Sequence, residues 1–192
     1  MPEITCLSQL DPNGRYTYQD YLTWKFKERV ELFRGVIAKM SPAPNRRHQS
    51  TSGNIFFDLK LYLKNSLCKV YDAPFDVLLS KDDQSTVVQP DICVICDENK
   101  LTEQGCTGAP DLIVEVLSPG NSAREMKDKF MLYEESGVKE YWLVSPMQQS
   151  IIRYNLDSVG KYIGSRHYVP GEEFSSKVIN GFSVQVDEVF KE

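Results

Sequence analysis

The chain has 192 residues, 41% hydrophobic and 26% charged, which is long enough to bury a core and has the composition of a folded globular protein. A formal charge of −5 argues against a protein that coats nucleic acid through indiscriminate phosphate contacts, but carboxylates that bind metal contribute to such a total, so a nuclease stays open. There is no run of about 18 apolar residues, and Met1-Pro2-Glu3-Ile4 lacks the basic start and apolar stretch of a secretory signal, so a membrane partner is set aside and a cytoplasmic location expected.

One domain is expected over residues 1–192, with 1–14, polar and broken by Pro12 and Gly14, as a loose lead-in. From Thr17, which can cap a helix, Tyr18, Tyr21 and Leu22 follow at helical spacing and predict a short amphipathic helix. Val30 to Met40 reads as a hairpin turned at Arg34-Gly35. Ser41-Pro42-Ala43-Pro44-Asn45 breaks the chain, and Ile55, Phe56, Leu59, Tyr62 and Leu63 then mark a long helix from about His48 to Asn65. Strands are expected at Cys68 to Leu79, at Val87 to Cys96, and at Asp111 to Leu117, whose nearly unbroken apolar run suits a strand covered on both faces. A second helix spans Ser122 to Ser136, stopped by Gly137, and Glu140 to Ser145 is another buried strand. Strands at Ser150 to Asn155, Lys161 to Tyr168 and Phe182 to Asp187 complete a mixed sheet flanked by helices, an α/β (α+β) fold.

The five cysteines are odd in number and sit partly in apolar runs, which suits reduced thiols. Cys93 and Cys96 form a C-x-x-C, but alternation puts them on opposite faces of a strand. No second C-x-x-C or paired histidine follows, which weighs against zinc or redox chemistry.

Glu115 is the most informative position. An ionised carboxylate inside an apolar strand costs several kcal/mol in desolvation unless something compensates it, and the candidates are a basic partner or a cation. Asp91 follows Pro90 at the start of the preceding strand. The two acids lie 24 residues apart, as neighbouring strands would present two carboxylates to one hard cation. Two carboxylates plus substrate phosphate is how Mg²⁺ is usually held, and such an ion does phosphodiester chemistry. Glu125, Lys129 and Tyr133 are spaced by four and share one helical face able to lean over the strand ends, while Lys127 falls off it. Arg46-Arg47-His48 is a local basic patch able to receive a phosphate.

Taken together, Leu32-Phe-Arg-Gly-Val-Ile37 after Glu31, Met40-Ser-Pro-Ala-Pro44, His48, Gln89-Pro-Asp-Ile92, Asp111 to Pro119, Lys129-Phe-Met-Leu-Tyr133 and Gly137 to Val144 resemble the Uma family of bacterial restriction endonucleases, within the PD-(D/E)XK nuclease superfamily. The resemblance runs from about Tyr16 to Phe190. It implies a restriction endonuclease-like core with Asp91 as the Asp of the PD motif, Glu115 as the acid on the next strand, the Val116 carbonyl as a further metal ligand and Glu31 completing the site. The superfamily places a lysine two residues after the strand carboxylate, where this chain has Leu117. The family pattern takes it from the following helix, which implies Lys129. Family members usually carry Asp at the position of Glu125, and a histidine at that of His48. The reading is a metal-dependent endonuclease that hydrolyses DNA with Mg²⁺ or Mn²⁺, with Arg47, His48, Glu125 and Tyr133 in supporting roles. The other reading is an inactive nuclease-fold module that binds nucleic acid or a protein. Cutting both strands of a duplex favours a homodimer.

Overall fold

The computed structural model describes residues 3–40, 45–80, 85–120 and 123–192. Among them are helices α1 (Tyr18–Leu22), α2 (Arg46–Tyr62), α3 (Ala123–Ser136) and α4 (Val186–Val189). The strands are β1 (Val30–Phe33), β2 (Val36–Lys39), β3 (Lys69–Asp72), β4 (Asp76–Leu78), β5 (Val87–Val88), β6 (Ile92–Ile95), β7 (Gly105–Thr107), β8 (Leu112–Val116), β9 (Glu140–Ser145), β10 (Ser150–Leu156), β11 (Tyr162–Gly164), β12 (Glu173–Ser175) and β13 (Ser183–Gln185). They form one sheet ordered β2-β1-β5-β4-β7, a second ordered β11-β10-β9-β8-β6-β3, and a β12-β13 ladder. The fold is the mixed α/β arrangement expected, with two main sheets in place of one.

The second sheet is covered on both faces. Ile92, Val94, Leu112, Val114 and Val116 pack with Ile55 and Leu59 of α2, while the alternate residues Cys93, Ile95 and Ile113 pack with Leu132 and Tyr133 of α3. Expected covering of the Leu112–Val116 strand is therefore observed, and its alternation turns Glu115 toward α3. β8 runs parallel to β9, with α3 as the crossover between them.

Two expected strands are each broken. The run from Cys68 to Leu79 divides at Ala73-Pro74, leaving β3 in the second sheet and β4 in the first. The run from Val87 to Cys96 divides at Gln89-Pro90-Asp91, with β5 in the first sheet and β6 in the second. Prolines 74 and 90 lack the N–H that a central ladder needs, so the chain changes sheets there. The two crossings are tied together by the Ala73 N–H, which donates to the Asp91 carbonyl at 3.0 Å. The last expected strand, 182–187, is also shorter, giving way to α4 at Val186.

The hairpin turn is where the sequence puts it. Phe33 pairs with Val36 across a two-residue turn whose Arg34 and Gly35 have φ of 51° and 81°, the left-handed values this tight turn requires. Thr17 caps α1, and Asn45 caps α2 by accepting from the His48 N–H at 2.9 Å. The expected breaker residues 41–44 and the start of the second helix at Ser122 lie outside the described residues. Cys68 and Cys96 form a disulfide, contrary to the expectation of reduced thiols. Lys69 pairs with Ile95 in the antiparallel β3–β6 ladder, so one step further out the two cysteines face each other. No helix among the described residues is long and apolar enough to cross a membrane.

Candidate functional site

The two chain crossings bring the candidate residues to the junction of the sheets. Glu31 comes from β1 of the first sheet, Glu115 from β8 of the second, and Asp91 from the link between β5 and β6. Lys129 and Tyr133 descend from α3, one turn apart, both buried. His48 occupies the N-terminal end of the buried stripe of α2, ahead of Thr51, Ile55 and Leu59.

Lys129 joins the two sheets. Its Nζ lies 2.9 Å from Glu115 Oε1 and 3.2 Å from Glu31 Oε1, so one ammonium is shared by two carboxylates. Glu115 Oε1 also accepts the Tyr133 hydroxyl at 2.5 Å. Glu31 Oε1 accepts the Gln89 backbone N–H at 2.8 Å. Asp91 Oδ2 accepts the Val116 N–H at 2.8 Å and faces His48 Nε2 at 3.2 Å. The other ring nitrogen of His48 is buried and has no hydrogen-bond partner among the described residues.

Crowding of acids shows in their proton affinities. Burial pushes Glu115 up to about 7, with the Lys129 charge opposing and the Asp91 and Glu31 charges reinforcing the rise. Burial alone would lower Lys129, but Glu115 and Glu31 outweigh it and hold the ammonium charged. Burial pulls His48 down as well, and is outweighed by its hydrogen bond to Asp91 and the charges of Asp91 and Glu115. Burial raises the Tyr133 phenol far above its ordinary range, with Glu115 adding to it, so it remains a hydrogen-bond donor.

Among the described residues no group of three or more His, Cys, Asp or Glu is spaced as a ready metal cage. Donor chemistry nevertheless suits a hard divalent ion. Asp91, Glu115 and Glu31 offer carboxylate oxygens that sense one another electrostatically, and Mg²⁺ needs only one or two protein carboxylates besides waters and substrate phosphate. Lys129 supplies positive charge between Glu31 and Glu115. A cysteine site has no comparable basis, because Cys96 is committed to the disulfide.

Not every candidate joins this cluster. Arg47 turns to Glu192, 3.1 Å away, and Arg46 pairs with the same carboxylate at 2.6 Å. Glu125 lines a neighbouring cleft together with Glu31. Lys127, expected off the site-facing side of α3, is exposed. Gln89, within the Gln89-Pro-Asp-Ile92 motif, has a task that the motif alone does not announce. Besides bonding Glu31 through its backbone, its side chain accepts from Arg29 at 2.8 Å and donates to Asp76 at 2.7 Å and Tyr21 at 3.1 Å. A polar side chain directly ahead of Pro-Asp was the available signal, since the chain must change sheets there with its polar groups satisfied.

Comparison with known proteins bears on the family and the fold. The model of the Uma2 family, described as "Putative restriction endonuclease", matches residues 18–187. An uncharacterised protein of Synechocystis, slr1290, is 26% identical over 183 residues, covering 94% of each chain. A crystal structure from Anabaena variabilis, titled as a putative nuclease belonging to DUF820, superposes with a TM-score of 0.71 at 18% identity, covering 91% of this chain and 97% of the other.

Proposed function

The chain belongs to the Uma2 restriction endonuclease family, and from that premise we propose that it is a metal-dependent endonuclease acting on DNA phosphodiesters. The observation that carries this reading is Lys129, buried and shared between Glu31 and Glu115 beside Asp91. A lone structural salt bridge needs one acid; three acids gathered around one ammonium suit a site whose charge is meant for a cation and a phosphate.

In this reading Asp91, Glu115 and the Val116 carbonyl would hold Mg²⁺ or Mn²⁺, with Glu31 as a further oxygen donor. Bound there, the ion supplies Lewis acidity toward the phosphoryl group and the attacking water. Lys129 donates to the phosphoryl oxygens as their negative charge grows in the transition state. Tyr133 fixes the Glu115 carboxylate, His48 and the Val116 N–H fix that of Asp91, and the Gln89 N–H fixes that of Glu31. Water oxygen forms the new bond to phosphorus as it gives up a proton to solvent, the ester P–O bond breaks, and the leaving oxygen takes a proton from solvent. A homodimer would bring two such sites to the two strands of a duplex, and mass in solution tests that assembly.

Cleavage of plasmid DNA with Mg²⁺ or Mn²⁺, together with calorimetric titration of each ion, tests the function. The expected result is nicking or linearisation that disappears, along with ion binding, in Asp91→Ala and Glu115→Ala. No cleavage with either ion, and ion binding unchanged in both variants, would overturn the reading in favour of an inactive nuclease-fold module.

A further inference from the structure

Beside the carboxylates lies a cleft of about 520 Å³, with Glu31 in its lining, the β1–β2 hairpin along one wall and the first half of α3 along the other. Four cations from three stretches of chain line it: Arg15; Arg34 and Lys39 of the hairpin; and Arg124. Against them stand Glu31, Glu125 and Asp128, of which Glu31 faces Lys129 and Asp128 lies 3.8 Å from Arg124. A basic lining is against the average of a chain whose net charge is −5.

The hairpin tip is fastened in a way that holds this lining in place. Arg34 has φ of 51°, at a turn position where Asn or Gly is usual. Its carbonyl accepts from Arg15 Nη1 at 2.6 Å, the Gly35 N–H donates to the Ser85 carbonyl at 2.6 Å, and the Tyr16 N–H donates to the Gly35 carbonyl at 2.9 Å. The Arg34 guanidinium then pairs with Glu135 of α3, linking hairpin to helix. Lys39 closes β2 at the other end of the hairpin, and the Arg124 side chain is 92% exposed.

We propose that this cleft is the track for the DNA backbone, in which Lys39 from the hairpin and Arg124 from α3 neutralise phosphates on either side of the one delivered to Glu31 and Lys129. The inference rests on the nuclease reading, because the track ends at the carboxylates. It is also consistent with the acidic total, since binding is confined to one concave strip where opposed cations focus the potential.

The test is binding of a labelled 20-base-pair DNA duplex to the full chain in EDTA, followed by anisotropy across a NaCl series. Lys39→Gln/Arg124→Gln removes one cation from each wall and leaves the bonds that fasten the hairpin. Lys64→Gln/Lys177→Gln is the charge-matched control away from the cleft lining. Each lost phosphate contact flattens the slope of log affinity against log salt by about 0.9, so the cleft variant should be shallower by about 1.8 and the control unchanged. Equal slopes in wild type and cleft variant, equal flattening in the control, or no measurable binding at low salt would overturn the proposal. A chain that cuts DNA while its binding ignores Lys39 and Arg124 loses the track and keeps the nuclease reading; one whose slope flattens as stated but which never cuts keeps the track and loses the enzyme.

Discussion

Lys129 reaches from α3 to within 2.9 Å of Glu115, a residue on the strand that α3 follows, and the same ammonium lies 3.2 Å from Glu31 in the other sheet. It therefore offsets part of the negative charge at the junction as well as spanning it. Lys129→Met keeps the length of the stem and removes the charge, leaving two buried carboxylates without a cation. Breaking a buried pair from one side costs about 3 kcal/mol. The loss should be full at pH 8 and smaller at pH 5, where the Glu115 carboxyl, raised to about 7, is protonated and no longer needs the ammonium. Denaturant unfolding at the two pH values measures both. Equal losses at the two pH values would mean that the lysine contributes through packing.

Glu115 sets a pH dependence of its own in the metal-free protein. Its carboxyl stands at about 7 in the fold against an ordinary value of 4.5, because burial and then its acidic neighbours outweigh Lys129 and the Tyr133 hydroxyl. Between those values the folded state holds a proton that the unfolded chain has released. The associated stability is thus fully present below about pH 4.5 and lost as pH rises through 7, by about 3 kcal/mol. Glu115→Gln should flatten this fall. His48, also raised, adds a slope of the same sign that the substitution weakens without abolishing, because Asp91 remains beside the ring. An unchanged profile in the Gln variant would refute the assignment.

What the sequence made legible is what local rules control. The turn at Arg34-Gly35 follows from a glycine between two apolar runs, α2 from its stripe of apolar residues, and the shared face of Lys129 and Tyr133 from their spacing of four. The pairing of Asp91 with Glu115's strand was legible too, since a Pro-Asp strand start and an acid in an apolar run demand explanation. Glu31 came only through resemblance, for nothing in Val30-Glu31-Leu32 tells which sheet it joins. The division of both long β runs was missed because their apolar content continues across Pro74 and Pro90 while their hydrogen-bonding partners change. Disulfide formation between Cys68 and Cys96 depends on the β3–β6 register, and the hub role of Gln89 on a crossing between sheets; neither is a property of neighbouring residues.

Tyr133 offers a test of positioning as distinct from charge. Its hydroxyl donates to Glu115 Oε1 at 2.5 Å from a fully buried ring. Tyr133→Phe keeps the ring and removes the donor, at a stability cost of about 2 kcal/mol for a hydrogen bond to a charged group. With the carboxylate free to rotate, kcat should fall about tenfold, equivalent to about 1.4 kcal/mol, while KM for DNA holds. A rise in KM at unchanged kcat would instead assign the tyrosine to substrate contact.

Glu140 separates stability from the site. It is a further acid buried in a β-strand next to an apolar core, yet its environment is complete: its two oxygens accept from Trp142 Nε1 at 2.6 Å, Asn155 Nδ2 at 2.8 Å, Ser176 Oγ at 2.8 Å, and the backbone N–H groups of Lys177 and Val178 at 2.7 and 3.1 Å. Five donors and no ammonium make it a fastening between β9, β10 and the segment 176–178. Glu140→Ala strands those donors in a place with no solvent exposure, which costs about 3 kcal/mol or more and lowers Tm by about 10 °C for a chain of this size. Because none of these five donor groups hydrogen-bonds the carboxylates of Glu31, Asp91 or Glu115, divalent-ion binding measured well below that Tm should match wild type. Weakened ion binding in the folded variant would show that the β9 end of the sheet supports the carboxylates, and a Tm within a degree or two of wild type would show that the five bonds contribute little.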